Sequence, residues 1–460
     1  MCVLLINPWI HDFAAYDYWL KPYGLLSIAA LLRESNFRVQ VIDCLDRYHP
    51  RMRWGKRPQG DRGFGHGQYL KQQIKKPLQL ASVPRRYGRY GIPPEIFMQE
   101  LQDISHSPEA ILMTTGMTYW YPGVMDAMKI VREVFPDAPI IIGGTYVTLC
   151  PLHAVTLGAD YVLSGHAERK VLGLLHDLTG TEVPLLPDND NLDALPYPAF
   201  DLLSERGYVC IQTSRGCPFR CSYCASHLLD QGISRQSPQR VVREIEHWVR
   251  EYGIRNIVFY DDALLFDPEE HIMPILDGVL ERGLEGISLH TPNGLHARFV
   301  TRELAQLMFR AGFKTIRLGY ETANTVRQDL TGGKVRDEEL EMALHHFAEA
   351  GFSAADLGVY ILTGLPGQHV KEAEASIHRV ASLGGVPVLA EFSPIPGTPV
   401  WEEAVHYSRF ALEHDPLFHN NSIFPCAWEH FTWQDHLDTK GIANTVRRSI
   451  IEGSYTSSCH

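Results

Sequence analysis

Short β-rich apolar runs alternate with amphipathic helical stretches along most of the chain, and this rhythm restricts the fold more than any other feature. Residues 1–184 contain helix candidates at 23–35, 94–103, 123–134 and 168–178. The strand candidates between them are Val3–Ile6, Arg38–Ile42, Ala110–Thr114, Pro139–Ile142 and Asp160–Leu163. Alternating βα units joined by short loops predict a parallel sheet covered by helices on both faces, which is a Rossmann-like α/β domain.

A second βα series follows a polar, proline-bearing stretch at 185–205 that we interpret as a linker. Its strand candidates are Tyr208–Thr213, Asn256–Tyr260, Gly286–Leu289, Thr315–Leu318, Asp356–Leu362 and Val388–Phe392. Helices should start near Pro238, Glu269, Thr301, Asp337 and Val370. Six βα units predict a partial (β/α)6 barrel of the TIM type over 206–400. A short helical extension, with a helix at 435–451, should complete the chain at 401–460.

Composition narrows the protein class. The nine cysteines are an odd number and are scattered except for one triplet, so a metal or redox site is favoured over a disulfide framework. No apolar run approaches the roughly 20 residues of a membrane span, and the apolar N-terminus lacks the basic region of a signal peptide. We therefore expect a cytoplasmic location without membrane attachment. The net charge of −12 argues against nucleic acid as a partner.

The triplet Cys217, Cys221 and Cys224 carries the strongest chemical signal. Its C-x₃-C-x₂-C spacing directly follows the first strand candidate of the second series. One tight loop of this kind brings three sulfurs to three irons of a 4Fe–4S cluster and leaves the fourth iron open for chemistry. Two alternatives are a zinc site with His227 as the fourth ligand and a ferredoxin-like electron carrier.

These residues resemble the radical S-adenosylmethionine (SAM) superfamily. The resemblance implies that the cluster cleaves SAM to a 5′-deoxyadenosyl radical, with an electron from a donor such as flavodoxin or ferredoxin. Segments at the later strand ends, Phe259-Tyr260-Asp261-Asp262, Asn293-Gly294, Gly319-Tyr320-Glu321-Thr322, Gly364-Leu365-Pro366-Gly367 and the run at 394–399, resemble the family's cofactor contacts. The resemblance therefore implies SAM-binding roles for Tyr223, Asp261, Asp262, Asn293, Glu321, Gly364 and Pro394.

The first domain is similar to the cobalamin-binding-type domain of one radical SAM subfamily. The similarity is carried by Asn7-Pro8, Pro22-Tyr23-Gly24-Leu25, Gly143-Gly144 and the run at 164–168. It implies that Gly143 and Gly144 contact cobalamin, although a Gly pair after a strand is more often a tight turn. The loop that supplies a cobalt-binding histidine elsewhere is missing, so histidine ligation is not expected.

Three functions follow and remain open at this point. The leading hypothesis is cobalamin-dependent alkylation, specifically methylation, of an unactivated carbon in a small molecule. The second is a cobalamin-independent radical SAM cyclase or rearrangement enzyme. The third is not an enzyme but an iron–sulfur sensor or carrier. The sequence does not identify the substrate.

A basic insert at 51–94 needs its own explanation. It holds eleven Lys or Arg residues and one acid, Asp61, a local charge of +10 that leaves −22 for the rest of the chain. Without clear periodicity, it is either a solvated excursion or a clamp for an anionic ligand. In the clamp hypothesis, Arg85, Arg86 and Arg89 bind the anion, and the stacking surfaces are Trp54, Phe64, Tyr69, Tyr87 and Tyr90.

Overall fold

The computed structural model describes residues 1–52, 63–183, 191–204, 206–284 and 286–455. Trp54, Asp61 and part of the predicted linker, 185–190, lie outside the described residues. The chain divides into a first unit, Met1–Val209 with Asp415–Ser422, and a second unit, Cys210–His414 with Ile423–His460. No helix in the described part of the chain is long and apolar enough to cross a membrane.

The first unit has eight strands and six α-helices among its described residues. The strands are β1 Cys2–Asn7, β2 Ile10–Asp12, β3 Arg38–Asp43, β4 Lys71–Gln73, β5 Gly88–Tyr90, β6 Ala110–Thr115, β7 Ile140–Gly144 and β8 Tyr161–Leu163. The helices are α1 Tyr23–Glu34, α2 Pro94–Gln102, α3 Tyr121–Val134, α4 Thr145–Leu149, α5 Pro151–Val155 and α6 Glu168–Thr179.

Five of these strands form a parallel sheet in the order β3-β1-β6-β7-β8. Numbered within the sheet, this is the doubly wound order 2-1-3-4-5, in which the direction of winding reverses between β1 and β6. The four interior residues of β1, Val3 to Ile6, are fully buried. A strand buried on both faces requires helices on both sides of the sheet, so the predicted Rossmann-like architecture is confirmed.

The part of the basic insert that the structure describes is folded. Strands β4 and β5 pair antiparallel with each other, and β5 also pairs with β2. A buried ion pair anchors the segment, because Arg47 contacts Asp17 at 3.3 Å and donates to the carbonyl oxygens of Gly65 and Gln68. The described part of the insert is therefore packed against the first unit and is not a plain solvated excursion.

The aromatic part of the clamp hypothesis was wrong for three residues. Tyr69, Tyr87 and Tyr90 are buried, so their rings cannot serve as stacking surfaces for a ligand. The Tyr87 hydroxyl donates to the carbonyl oxygen of His11, and the Tyr90 hydroxyl donates to that of Phe13. Tyr87 and Tyr90, with satisfied hydroxyls, are therefore ordinary core components, whereas Phe64 remains exposed.

The second unit contains the second βα series. Its strands are β9 Val209–Ile211, β10 Ser214–Gly216, β11 Ile233–Arg235, β12 Asn256–Phe259, β13 Ser288–His290, β14 Leu295–His296, β15 Phe313–Glu321, β16 Leu357–Thr363 and β17 Val386–Glu391. Its helices are α7 Ser226–Leu229, α8 Pro238–Tyr252, α9 Ile272–Glu281, α10 Arg302–Ala311, α11 Thr325–Leu330, α12 Asp337–Ala350, α13 Val370–Ser382, α14 Trp401–Tyr407 and α15 Trp433–Ile451.

Six strands of this unit line up in the order β17-β16-β15-β13-β12-β9, with β14 also paired to β15. Strands therefore follow one another across the sheet in chain order, as βα units of a barrel do. Helix α8 shows how the sequence sets the boundaries. Ser237 caps its first turn by accepting from the Arg240 N–H, Pro238 opens the helix, and Gly253 ends it in the left-handed conformation. The predicted partial (β/α)6 barrel is confirmed.

A segment from late in the chain completes the first unit. In Asp415–Ser422, Asp415 accepts from the Tyr121 hydroxyl at 3.0 Å. The Asn420 side-chain amide donates to Asp12 at 2.8 Å, and the Trp120 indole donates to the other oxygen of that carboxylate at 2.8 Å. These bonds satisfy a buried acid at the last residue of β2.

Candidate functional site

The three clustered cysteines lie on one loop at the carboxyl end of β9. The short hairpin β10–β11 closes the base of this loop, with Ser214 paired to Arg235 and Gly216 to Ile233. Gly216 has φ of 79°, and a Cβ there would lie 2.1 Å from the Gly232 carbonyl oxygen. Only glycine fits at that position, so the hairpin keeps the two ends of the loop together.

The surroundings of the sulfur atoms fit a thiolate-ligated group. Burial raises the pKa of Cys217 to about 11 and also raises the pKa of Cys221, so an iron centre would have to displace protons from these thiols. Cys224 Sγ has two polar neighbours from Ser226, its N–H at 3.4 Å and its hydroxyl at 3.2 Å. Hydrogen bonds to the sulfurs are a known means of tuning iron–sulfur clusters.

The donor set for an iron–sulfur cluster consists of three free thiols in one loop. Its fit rests on these thiols and on the Ser226 donors directed at the Cys224 sulfur.

Asp261, directly after β12, holds the start of the cysteine loop. Its buried carboxylate accepts from the Thr213 N–H at 3.1 Å, the Thr213 hydroxyl at 2.7 Å and the Ser214 hydroxyl at 2.6 Å. Burial raises the pKa of Asp261 to about 6, and these hydrogen bonds act in the opposite direction. With these contacts, Asp261 orients the loop from within the barrel.

Asp262 and Asn293 are the more accessible polar groups at this edge. Asp262 accepts from the Ser226 hydroxyl at 2.8 Å, which links the end of β12 to the turn after Cys224. The Asn293 side chain donates to the carbonyl oxygens of Tyr260 and Asp261 at 2.9 and 3.2 Å. Both side chains are exposed, so they remain available to a ligand at the carboxyl ends of the strands.

A β-bulge at the end of β15 turns Glu321 toward the same region. The pairing with β16 shifts register between Gly319 and Glu321, which makes Tyr320 the extra residue. Glu321 has φ of 72°, a conformation that costs a non-glycine residue about 1–3 kcal/mol. Strain of this kind persists where packing over-determines it, and it is common at functional sites.

Glu321 forms a buried ion pair with Lys334, whose ammonium lies 3.3 Å from the carboxylate. Burial lowers the pKa of Lys334, but the charges of Glu321 and Cys221 outweigh it, so the net shift is upward. A Cβ at Gly319 would lie 2.5 Å from the Lys334 Nζ atom, so the glycine leaves room for the ammonium.

The segment that carries Lys334 packs directly against the cysteine loop. The Ser222 N–H donates to the Thr331 carbonyl oxygen at 3.3 Å. At Gly332, with φ of 107°, a Cβ would lie 3.1 Å from the Cys221 Cα atom. A positive charge is thereby held beside the thiols. The Gly332-Gly333-Lys334 run was the sequence signal for this contact, and it was missed.

His296 was also missed. It is buried, and neither ring nitrogen has a hydrogen-bond partner among the described residues. Its ring stacks on Phe219 of the cysteine loop, with centroids 4.4 Å apart. Burial lowers the pKa of His296 to about 3, so a neutral imidazole supports the loop from β14.

Two further predicted residues of the second unit, Gly364 and Pro394, contribute through the conformation of the backbone. Gly364 ends β16 with φ of 82°, its N–H donates to the Gln368 side chain at 2.8 Å, and a Cβ there would overlap Phe424. Pro394 is buried in the turn after β17. Tyr223 lies within the cysteine loop, whereas Asp261, Asp262, Asn293 and Glu321 lie at or just after the carboxyl ends of β12, β13 and β15. Their contacts with a cofactor stay predictions.

In the first unit, Gly143 and Gly144 end β7 beside β6. A Cβ on Gly144, which has φ of 112°, would lie 2.5 Å from the Thr115 carbonyl oxygen. The Thr115 hydroxyl donates to the Gly143 carbonyl at 2.9 Å. The glycine pair therefore permits a close approach of two strand ends at the carboxyl edge of the sheet, where doubly wound folds bind ligands.

A three-cysteine loop at the carboxyl end of the first strand of a partial barrel suits a 4Fe–4S cluster with one iron left open. Residues 211–380 match the family model described as the Radical SAM superfamily. This match identifies a radical SAM domain in the second unit, and such a domain implies an enzyme with a 4Fe–4S cluster and SAM as cofactors.

Two curated relatives are similar over most of the chain. One is an uncharacterised methyltransferase of Pyrococcus horikoshii, PH0819, which is 26% identical over 381 residues, 75% of this chain and 78% of that protein. The other is the cytidylyl-2-hydroxyethylphosphonate methyltransferase of Streptomyces wedmorensis, which is 24% identical over 472 residues, 88% of this chain and 81% of that protein.

Among solved structures, the chain shares its fold with TsrM, a radical SAM methyltransferase from Kitasatospora setae with cobalamin and a [4Fe–4S] cluster bound. The TM-score is 0.65 at 16% identity, and the match covers 88% of this chain and 78% of TsrM. At this identity the likeness establishes the fold alone.

Proposed function

We propose that this enzyme methylates an unactivated carbon of a small molecule, with a 4Fe–4S cluster and SAM in the second unit and cobalamin in the first. The observation that carries the proposal is the Cys217, Cys221 and Cys224 loop at the carboxyl end of β9. Three thiols within eight residues anchor three irons and leave the fourth for SAM.

The chain's own residues then have separate tasks. The three cysteines hold the cluster, while Asp261 and the Phe219–His296 stack fix their loop. Asp262, Asn293 and Glu321 offer oxygen atoms to the amino and ribose groups of SAM. When bound, the cluster supplies the electron that starts radical chemistry, and the electron reaches it from a flavodoxin- or ferredoxin-type donor.

Cobalamin would lie at the carboxyl edge of the first sheet. Two observations support this: the 2-1-3-4-5 strand order and the Gly143-Gly144 approach to β6. The relatives named as methyltransferases and the cobalamin-containing TsrM, which shares the fold, support methyl transfer. No cobalt-binding histidine loop follows β1, so the cofactor would bind without histidine ligation.

The cluster assignment is tested by cysteine replacement. Cys217→Ala, Cys221→Ala and Cys224→Ala should each lose most of the iron and sulfide bound after anaerobic reconstitution, together with SAM cleavage. Cys210→Ala is the matched control, because Cys210 is a buried thiol on the neighbouring strand β9. A triplet variant that keeps full iron content and SAM cleavage would contradict the assignment.

Cobalamin binding needs a separate measurement. Reconstituted protein should bind about one equivalent of cobalamin, and its spectrum should lack the signature of a nitrogen ligand on cobalt. If the iron cluster forms and no cobalt is retained, the cobalamin-independent cyclase or rearrangement enzyme becomes the better description. If SAM is not cleaved at all, the iron–sulfur carrier replaces both.

A further inference from the structure

The hairpin formed by β4 and β5 carries a group of cations beside its paired residues. Its register pairs Lys71 with Tyr90 and Gln73 with Gly88, and the Ile74 N–H donates to the Tyr87 carbonyl oxygen at 3.2 Å. Lys75 and Lys76 directly follow Ile74, and Arg85 and Arg86 directly precede Tyr87. Like charges held close together repel each other, so this group of cations favours a compensating anion.

No aspartate or glutamate occurs between residues 63 and 94, so the hairpin has no acid of its own. Lys71 donates to the Phe13 carbonyl oxygen at 3.1 Å, and Lys76 donates to that of Val83. A carbonyl oxygen accepts a hydrogen bond but does not cancel a unit charge. Arg89 differs, since it contacts the Asp126 carboxylate at 3.3 Å and is neutralised there.

The cations also converge in space. Lys76 and Arg85 both lie over the Phe13 ring, with 5.8 and 5.5 Å to its centroid. Burial lowers the pKa of Lys71, the nearby charges of Arg85 and Arg86 lower it further, and the charge of Asp12 acts in the opposite direction. Lys75 and Arg86 are exposed, so the charged end of the hairpin is accessible to a ligand.

We propose that the hairpin from Lys71 to Tyr90 binds a phosphoryl group carried by a small molecule. Several cations within one short hairpin suit a compact multivalent anion, and an arginine offers paired N–H donors to phosphate oxygens. The site does not depend on methyl transfer, because all of its cations lie in the insert. Two sources share this chemistry: a phosphorylated substrate and the phosphodiester in the nucleotide tail of cobalamin.

The experiment measures the affinity of the full chain for inorganic pyrophosphate by calorimetry at two ionic strengths. The variant is Lys75→Gln with Arg86→Gln, two exposed residues whose replacement leaves the hairpin ladder in place. The matched control is Arg38→Gln with Lys129→Gln, two exposed cations elsewhere in the first unit. A second variant, Lys75→Arg with Arg86→Lys, keeps the charge, and circular dichroism verifies that all of them fold.

Removal of two charges near a multivalent anion should weaken pyrophosphate binding about tenfold and flatten its salt dependence. The Arg38/Lys129 control and the charge-preserving variant should bind as the unchanged protein does. Equal affinity and equal salt dependence in the Lys75/Arg86 variant would overturn the proposal. Binding of a DNA duplex tighter than pyrophosphate, lost in the same variant, would overturn it as well.

A cobalamin arm separates the two sources. Cobinamide lacks the nucleotide tail and its phosphodiester, so it reports binding without that group. If the Lys75/Arg86 variant loses its preference for cobalamin over cobinamide, the hairpin binds the cobalamin tail. If that preference is unchanged while pyrophosphate binding falls, the hairpin binds a phosphorylated substrate. Failure of the chain to bind any cobalamin counts against the proposed function and leaves the pyrophosphate result standing.

Discussion

Replacement of Lys334 by Met tests the electrostatic design of the site. The Lys334 ammonium and the Glu321 carboxylate are 3.3 Å apart, and their side chains are 15% and 8% exposed. At an effective dielectric constant of about 20, Coulomb's law gives an attraction of about 5 kcal/mol at this separation. Part of it only offsets the desolvation of both groups. Removal of one partner leaves the other charge buried, which typically costs about 3 kcal/mol or slightly more.

Scanning calorimetry of the cluster-free protein measures this loss. For a domain of roughly 200 residues, about 3 kcal/mol corresponds to a melting temperature lower by about 6–12 °C. Lys314→Met is the matched control, because Lys314 is an exposed lysine on β15 and should change stability by no more than about 0.5 kcal/mol. Glu321→Gln and the double variant complete a double-mutant cycle, which isolates the coupling between the two side chains.

A stabilising ion pair should give a coupling of at least about 1 kcal/mol between Glu321 and Lys334. Lys334→Arg, which keeps the charge, should recover most of the lost stability. If Lys334→Met and Lys314→Met have the same melting temperature, the ion pair contributes nothing to the stability of the second unit. The bulge at Tyr320 would then need another explanation.

Three further outcomes follow from the structure. Gly144→Ala should destabilise the first unit by about 1–3 kcal/mol, because φ of 112° and the Thr115 carbonyl oxygen, 2.5 Å from the position of the new Cβ, both disfavour a side chain there. Urea unfolding of that unit measures the loss. Burial lowers the pKa of His11 to about 4, whereas in the unfolded chain the histidine binds its proton near pH 6.5. The free energy of unfolding should therefore fall by up to about 3 kcal/mol as the pH drops from about 6.5 to 4. The loss should be smaller in His11→Gln. Ser226→Ala removes polar neighbours of Cys224 Sγ and should make the reconstituted cluster harder to reduce, as spectroelectrochemistry would show.

The sequence predicted the elements well because both sheets are parallel and buried. Strand β1 and helix α1, for example, were predicted at 3–6 and 23–35 and run over Cys2–Asn7 and Tyr23–Glu34. Continuous apolar runs and helical spacing are local signals, so each strand or helix can be predicted from its own segment of the sequence. The cysteine loop could also be predicted from the sequence, because its three cysteines lie within eight residues.

What the sequence did not reveal depends on distant contacts. Strand β4, Lys71-Gln72-Gln73, is polar throughout and exposed, so it has no alternating pattern to recognise. Tyr87 and Tyr90 were wrongly assigned to ligand stacking, because only the fold shows that backbone carbonyls accept from their hydroxyls. The pairing of Lys334 with Glu321 depends on the bulge at Tyr320, and a bulge leaves no periodic signal of its own.

The return of Asp415–Ser422 to the first unit has a consequence for biosynthesis. When Val209 emerges from the ribosome, roughly 200 residues remain before Asn420, which at typical rates is roughly 10–40 s of translation. Throughout that interval Asp12 lacks its amide donor and Tyr121 its acceptor. The nascent first half must therefore wait in an incomplete state in which it is open to chaperones and proteases. A fragment cut after Val209 would keep that defect permanently.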